Sequence, residues 1–484
     1  MPEQVIDRTK ELATGTIGKL LWTYALPAVI TQIIASVYNI VDRVFLGQYV
    51  GALAIAGLAI TMPIMNIIHA FGSLVGVGSS SRISIVLGRG DKKWAEKIVG
   101  NSMLLTFFFG VLFVGCGYLF MDKILHAFGA SADTIAFAKE YMMIVLPGMF
   151  LTTVSFNLTG LMRASGYPHK SMYIMAGGAL MNIALDALFI SVMGWGIAGA
   201  AWATTISMAL TAVLAALHFT NTNSFIRFRR HAWKPKGYIF RNILMIGISP
   251  FSMNVAASAV VALLNSQLIR YGNMSLGMGG GDLAVGAYGI SNTYGSFMVM
   301  LVLGICQGMQ PIAGYNYGAG LNLRLKDVYT LTLKVDLLVG CIGMMLALLL
   351  PETIMRAFTT DEQMIAIGIP ALRYLNVMMI LIAFTITNSQ FFQSIDKPWI
   401  AIITSLSRQV LFLIPLMFIV PDIFTIWGKS GLTGVWMSCT ICDILGAVLA
   451  GVLLLSQRQV FRPEYVTPER KPASEAGPDP DEKD

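Results

Sequence analysis

Charged residues are scarce in this chain: only 12% of its 484 residues are Asp, Glu, Lys or Arg. Soluble domains carry about 25%, so the composition excludes an ordinary soluble domain. The sequence also lacks a nucleotide-binding loop, a cluster of metal ligands and a Ser-His-Asp arrangement, and three of its five histidines fall in predicted loops (His126, His169 and His231). A membrane enzyme or receptor is therefore disfavoured, and we expect no cofactor.

Cysteine is rare as well, and its five residues all lie within or near apolar stretches. Cys439 and Cys442 are one helical turn apart, a spacing that a metal pair would use. No histidine or further cysteine is near them in the sequence. We therefore interpret both as small residues that allow close helix packing.

Long apolar stretches, by contrast, are abundant, since 56% of the residues are hydrophobic and the mean hydropathy is +0.69. A run of about 20 apolar residues spans a bilayer as a helix, because lipid offers its backbone no other hydrogen-bond partner. The sequence predicts an all-α integral membrane protein whose twelve helices lie near residues 17–41, 52–80, 96–120, 134–160, 171–191, 197–219, 241–269, 283–308, 327–350, 365–390, 399–420 and 431–456. The first run is too long for a signal-peptide core and no small-residue cleavage pattern follows it, so we expect it in the mature protein.

The chain repeats itself at a spacing of 230 residues. Three examples are 53–57 with 283–287, Gly78 with Gly308, and Pro168 with Pro398. Duplicated halves in an apolar chain are typical of transporters, whose substrate path runs between the repeats.

Basic residues orient the predicted helices. With the amino terminus inside, the cytoplasmic segments hold 26 of the 33 Lys and Arg residues and the external segments hold 7. The positive-inside rule therefore places both termini in the cytoplasm. The net charge of +7 is mainly a signal of this topology and not of nucleic-acid binding.

Polar stretches divide the chain into segments. We predict a cytoplasmic amino-terminal segment over 1–16, a first six-helix lobe over 17–219, a basic cytoplasmic linker over 220–240, a second lobe over 241–456, and a tail over 457–484. The tail becomes Pro-rich and acidic and cannot bury a hydrophobic core, so we predict that it is disordered and cytoplasmic.

Five polar residues are predicted to lie near one outer level of the first lobe. Asp186 is in the fifth helix, and Asn182 is one turn before it on the same face. Asp42, Tyr141 and Thr204 belong to the first, fourth and sixth helices. Their oxygens suit a small hard cation or a proton shared between carboxyl groups. The alternative is that Asp42 is an interfacial cap and that Asp186 only bonds to neighbouring helices.

Two further acidic residues fall within predicted helices of the second lobe, where burying a charge costs roughly 2.5–3.5 kcal/mol. Asp336 is in the ninth helix and Asp443 is in the twelfth. Both are candidate contacts for a cationic substrate, or they pair with Arg373 or Arg408. Lys334 does not share a face with Asp336, so we expect it to extend to the cytoplasmic surface.

Pro27 interrupts the first predicted helix and is our candidate hinge. Proline has no backbone N–H, so the helix is weakened at this point, ahead of Tyr38 and Asp42.

Several motifs resemble the multidrug and toxic compound extrusion (MATE) family, and the resemblance covers nearly all of residues 15–456. The motifs are Pro27 followed by YNIVDRVFLG at 38–47, RASGYP at 163–168, and GMQPIAGYNYGA at 308–319. Their spacing and loop sequences are similar to those of MepA-like and DinF-like bacterial members.

The resemblance implies two six-helix bundles that face each other in a V around a central cavity. It also implies a cation-coupling site in the first lobe, whose positions are matched here by Asp42, Tyr141, Asn182, Asp186 and Thr204. Sodium, if it is the coupling ion, would bind at Asp42, Asn182 and Asp186. Another branch of the family has an acidic site in the seventh helix, but residues 241–269 contain no Asp or Glu, so we do not expect that site here.

The resemblance further implies a secondary active exporter of organic, often cationic, amphipathic compounds that exchanges them for protons or sodium ions, and not an enzyme. We expect a monomer in a bacterial or archaeal cytoplasmic membrane, with drugs and membrane lipid as its partners. The alternative is a lipid-linked saccharide flippase of the same superfamily, but the twelve helices with few intramembrane Arg or Lys argue against it.

Overall fold

The computed structural model describes residues 9–50, 52–128, 134–222 and 224–465, and its regular structure within these ranges is entirely helical. Among these described residues, eleven helices are long and apolar enough to cross a bilayer, and two shorter helices bent by 43° supply a twelfth span when they are taken together. The predicted fold class, an all-α membrane protein, is therefore confirmed.

The membrane helices are numbered here in chain order. They are α1 (Ile17–Tyr49), α2 (Ala52–Gly88), α3 (Lys92–Leu119), α4 (Ile135–Ala164), α5 (Pro168–Asp186, continued by a π-helix over Ala187–Val192), α6 (Gly196–Thr220), α7 (Gly237–Leu276), α8 (Gly280–Ala319), α9 (Asn322–Leu349), α10 (Glu362–Asn376 and Met379–Ser394), α11 (Pro398–Leu406, a π-helix over Ser407–Leu413, and Ile414–Ile426) and α12 (Gly431–Ser456). Short helices also cover Lys10–Thr14, Met121–Ala127 and Pro351–Arg356.

Local sequence accounts for several helix ends. Asp91 precedes α3 and accepts a hydrogen bond from the backbone N–H of Trp94, while Asp361 caps α10 in the same way. Such acceptors satisfy N–H groups that have no partner within the helix. Pro168 and Pro398 occupy the first turns of α5 and α11, where a missing N–H costs nothing.

The duplication read from the sequence is visible in the fold. The short helices Met121–Ala127 and Pro351–Arg356 follow α3 and α9, and their first residues are 230 positions apart. Helices α5 and α11 both change to a π-helix, a feature that is frequent at functional sites.

The two lobes contact each other through α1, α2, α7 and α8, in the halves of these helices nearest the linker. We call this side of the molecule the linker end. A Cβ atom added at Gly247 of α7 would lie 1.7 Å from the carbonyl oxygen of Leu74, and one at Gly78 of α2 would lie 2.1 Å from that of Ile243. Only glycine permits this approach of the two backbones, so the lobes are tightly closed at the linker end.

A buried ion pair also joins the lobes at the linker end. Nη1 of Arg82, on α2, donates to Oδ2 of Asp396 at 2.9 Å, and the Arg82 side chain is 4% exposed. Asp396 lies in the turn between α10 and α11, and its φ of +56° is the only positive value at a described non-glycine residue. Separating such a pair would leave a buried charge uncompensated, so the pair favours the closed linker end.

The linker is shorter than predicted and is packed against the first lobe. Helix α6 ends at Thr220 and α7 begins at Gly237. The Asn101 side chain of α3 donates to the carbonyl oxygens of Ala232 and Lys234, at 3.3 and 3.2 Å, and accepts from the N–H of Lys236 at 2.8 Å. The linker therefore contacts the lobe that precedes it.

The structure corrects the predicted start of the disordered tail. Residues 457–465 form a short 3-10 turn and a bend whose side chains Val460, Phe461 and Tyr465 pack into the core at the linker end. The Asn322 side chain donates to the carbonyl oxygens of Arg462 and Tyr465, at 3.0 and 2.7 Å. Apolar side chains thus anchor this segment despite its polar composition. The rest of the predicted tail, 466–484, and residues 1–8 lie outside the described residues.

Candidate cation and substrate sites

Asp186 occupies the last α-helical position of α5, directly before the helix changes to a π-helix. Its side chain is fully buried, with 0% exposure, and Asn182 one turn earlier is 2% exposed. Both side chains therefore face the interior of the first lobe, as their spacing predicts.

The five predicted coupling residues lie near one another. The Asn182 side chain donates to Oγ1 of Thr204 on α6 at 3.4 Å. Tyr141, on α4, is 2% exposed and interacts with the Thr204 hydroxyl and with the charges of Asp42 and Asp186. Asp42, on α1, is partly buried and lies within electrostatic range of Asp186. Helix α1 and the three consecutive helices α4, α5 and α6 thus bring together two carboxylates, an amide, a hydroxyl and a phenol.

Several oxygens of this cluster lack hydrogen-bond donors. Among the described residues, no donor reaches either carboxylate oxygen of Asp186 or the side-chain oxygen of Asn182. A buried carboxylate without a donor is costly, because neither water nor the protein compensates its charge. A proton or a small hard cation would compensate it, and oxygen ligands are those that such cations prefer. No group of three or more His, Cys, Asp or Glu side chains forms a metal site within the described ranges.

A cavity of about 200 Å³ adjoins the cluster in the first lobe. Its lining includes Asn182 and Thr204, together with Tyr38 of α1, His69 of α2 and Ser207 of α6. Sequence reasoning did not select these last three residues. Two had a recognisable signal: Tyr38 is one turn before Asp42, and Ser207 is one turn after Thr204.

The second lobe contains a larger cavity, of about 520 Å³, lined by α7, α8, α10, α11 and α12. Asp443 belongs to its lining and accepts a hydrogen bond from Nε of Arg408 at 2.6 Å. Of the two pairing partners considered from the sequence, Asp443 therefore pairs with Arg408 and not with Arg373. Asp186 of the first-lobe cluster, by contrast, has no hydrogen-bond partner among the described residues.

Asp336 lies elsewhere in the second lobe. It is 0% exposed, and its Oδ2 accepts hydrogen bonds from Oγ1 of Thr387 at 2.7 Å and from Sγ of Cys306 at 3.3 Å. It is not among the residues that line the 520 Å³ cavity. The structure thus places only one of the two candidate substrate contacts, Asp443, at the cavity.

Pro27 lies within an unbroken α1, and Oγ1 of Thr31 donates to its carbonyl oxygen at 2.8 Å. Close by, α8 packs against α1 at Val29 and Ala25, where glycines 304 and 308 allow the helices to approach. The candidate hinge is therefore at the contact between the lobes, about 22 Å along α1 from Asp42 at 1.5 Å per residue.

A family model described as MatE matches residues 27–188 and again 257–419. The second match starts 230 residues after the first, which is the spacing of the internal repeat. Two curated relatives cover almost the whole chain. The multidrug export protein MepA of Staphylococcus haemolyticus is 26% identical over 92% of this chain and 94% of its own length, and MepA of Staphylococcus aureus strain MRSA252 is 25% identical over 90% and 93%.

Solved structures show the same fold. A MOP superfamily transporter from Pyrococcus furiosus, 23% identical, superposes with a TM-score of 0.85 over 96% of this chain and 100% of that one. A MATE protein has been solved in a bent and in a straight conformation, and each superposes on this chain with a TM-score of 0.85. The bent structure is 23% identical and covers 94% of this chain and 98% of its own. The straight structure is 24% identical and covers 94% of this chain and 99% of its own.

Proposed function

Because this chain belongs to the MatE family, a family of transporters and not of enzymes, we propose that it is a secondary active multidrug exporter. It moves organic, often cationic, amphipathic compounds out of the cell in exchange for protons or sodium ions. The two relatives described as multidrug export proteins, which match the chain almost from end to end, support small-molecule drugs as the substrates.

The observation that carries the proposal is the fully buried Asp186 carboxylate, which no described donor reaches. A charge in that position is unfavourable unless a cation accompanies it. We therefore assign the coupling cation to Asp186 and Asn182, with Asp42, Tyr141 and Thr204 completing its surroundings. Sodium or a proton satisfies the same requirement, so both are candidates for the coupling ion.

Coupling follows from residues that the cation site shares with the first-lobe cavity. Asn182 and Thr204 line the cavity and also contact each other beside Asp186. A cation drawn to the Asp186 carboxylate reorients the Asn182 amide, which changes the wall that a drug would contact. Linkage then makes the effect reciprocal: a cation that lowers drug affinity is itself bound more weakly when the drug is present.

The conformation supports the direction of transport. The lobes are closed at the linker end, and the distribution of basic residues supports a cytoplasmic position for that end. With that orientation the molecule is closed towards the cytoplasm, as expected of the state from which a drug is released outside and a cation enters. We propose a monomer in a bacterial or archaeal cytoplasmic membrane, with both termini inside.

Bending of α1 at Pro27 is our proposal for how the cation state reaches the contact between the lobes. Pro27 lies near the packing of α1 on α8, and Asp42 lies near the other end of the same helix. A MATE protein of this fold has been solved in a bent and in a straight conformation, which supports a transporter with two conformations.

The test is uptake of ethidium, a fluorescent organic cation, into everted membrane vesicles that contain the protein. A sodium gradient and a proton gradient, each directed outward from the vesicle interior, are imposed separately. We expect one of them to drive accumulation, and an ionophore that collapses that gradient to abolish it. Vesicles without the protein are the control. Accumulation that is equal with and without both gradients would overturn the proposal of antiport.

A further inference from the structure

The cavity of the second lobe presents a positive charge rather than a negative one. Arg408 and Asp443 are the only Arg, Lys, Asp or Glu residues among its described lining residues. The Asp443 side chain is 2% exposed, whereas that of Arg408 is 27% exposed. The carboxylate is thus covered, and the guanidinium is the charged group that a molecule in the cavity would meet.

Most of the donors of Arg408 remain available. Its Nε donates to Oδ1 of Asp443, and within the described part of the chain no other acceptor binds the guanidinium. The N–H groups on Nη1 and Nη2 form the planar fork that binds a carboxylate through two parallel hydrogen bonds. An arginine that served only to neutralise Asp443 would be buried together with it.

The position of the pair also points to a ligand. Arg408 is ten residues, about 15 Å, from the first residue of α11. Asp443 is twelve residues, about 18 Å, from the first residue of α12, a helix that starts at the opposite side of the membrane. Both therefore lie near the middle of the bilayer, where ionisable residues mark substrate paths. Arg408 also belongs to the π-helix of α11, a distortion frequent at functional sites.

The remaining lining suits an amphipathic molecule. Methionines 253, 300 and 379 supply adaptable apolar surface, and the amides of Asn254 and Gln409 lie beside it. The side-chain oxygen of Gln409 is buried and has no donor among the described residues. It can accept a hydrogen bond from a donor group of the ligand.

We propose that the second-lobe cavity is a subsite for the carboxylate of a zwitterionic amphipathic compound, which the Nη1 and Nη2 groups of Arg408 bind. Because Asp443 already balances the charge of Arg408, the ligand carries its own positive charge and is not a simple anion. The subsite rests on the proposed export function, since it names one class of compound that the exporter takes.

Binding to the purified full-length protein tests the subsite separately from transport. The probes are rhodamine B, a xanthene dye with a free carboxylate and a delocalised positive charge, and its ethyl ester, which lacks the carboxylate. The variant is Arg408→Gln combined with Asp443→Asn, which removes both charges and leaves no unpaired buried ion. The control is Arg356→Gln combined with Glu362→Gln, which removes an exposed ion pair of the same lobe.

Fluorescence polarisation should show that the Arg408/Asp443 double variant binds rhodamine B at least tenfold more weakly, while its affinity for the ester changes by less than threefold. The control variant should bind both dyes as the wild type does. Equal shifts for the two dyes, or no binding of rhodamine B by the wild type, would overturn the subsite. Failure of gradient-driven ethidium uptake would instead count against the exporter, whatever the dyes show.

A measurement on the wild type covers the case in which the double variant does not fold. Cys439 lines the cavity and is partly exposed, whereas Cys341 on α9 lies outside that lining. Saturating rhodamine B should slow alkylation of Cys439 by N-ethylmaleimide at least fivefold and leave Cys341 unaffected, as measured by mass spectrometry of peptides. Unchanged alkylation of Cys439 would contradict the assignment.

Discussion

Replacing Asp186 by Asn removes one charge from the candidate cation site and nearly preserves the shape of the side chain. The wild-type carboxylate is 0% exposed and has no described donor at either oxygen. We therefore expect Asp186→Asn to insert and fold, to be at least as stable as the cation-free wild type, and to lose gradient-driven export.

The magnitude follows from linkage between cation binding and folding. A cation present at one hundred times its dissociation constant stabilises a protein that binds it by about 2.7 kcal/mol. The wild type should therefore be stabilised by this order of energy, either by sodium at constant pH or by lowering the pH at constant salt. The variant should lose most of the effect, because the charge that attracts the cation is absent.

Thermal unfolding of the purified protein, followed over a sodium series and a pH series, measures this dependence, and vesicle uptake of ethidium measures export. Asp122→Asn is the matched control, since it removes a carboxylate from an exposed ion pair with Lys139 in the same lobe. Such pairs contribute about 0–1 kcal/mol. An Asp186→Asn protein that keeps both the cation-dependent stabilisation and the wild-type export rate would refute the assignment.

Three further predictions concern movement and orientation. Pro27→Ala restores an N–H that can donate to the carbonyl oxygen of Thr23, which favours a straight helix by about 3 kcal/mol. The variant should stay inserted and export ethidium several-fold more slowly. Undiminished uptake would exclude an obligatory bend. Gly247→Ala places a Cβ 1.7 Å from the Leu74 oxygen and should prevent closure at the linker end, which would increase the thiol labelling of a cysteine introduced at Ser84. Gly115→Ala is the control, because a Cβ at that position meets nothing within 4 Å. Equal labelling in the two variants would contradict the closure. In a chain without native cysteines, Met278→Cys should react with an impermeant thiol reagent added to intact cells and Lys234→Cys should not, and the reverse result would invert the proposed topology.

The sequence predicted the first-lobe cluster more completely than the second-lobe site. Asn182 and Asp186 are four residues apart on one helix, so helical geometry alone places them on one face. The depth of Asp42, Tyr141 and Thr204 along their helices then brings them to a common level. The sequence places these residues at a common depth, but only the packing of the helices brings their side chains together.

Pairing in the second lobe could not be predicted in this way. Asp443 had two candidate partners, and only the packing of α11 against α12 determines that it binds Arg408, 35 residues away. The same packing exposes the guanidinium to a cavity and covers the carboxylate. Asp336 was the other acidic candidate of the second lobe, yet it lies outside the cavity lining and accepts hydrogen bonds from Thr387 and Cys306.

By itself the sequence determined the properties that depend on local pattern: the helical membrane fold, the duplication, and the spacing of Asn182 and Asp186. These follow from the length of apolar runs and the period of the helix, which neighbouring residues specify. Tertiary structure alone decided the π-helical changes in α5 and α11, the closure at the linker end, the anchoring of 457–465 and the pairing of Arg408. Each of these depends on which side chains meet across helices, and a sequence pattern does not specify contacts between residues that are far apart in the chain.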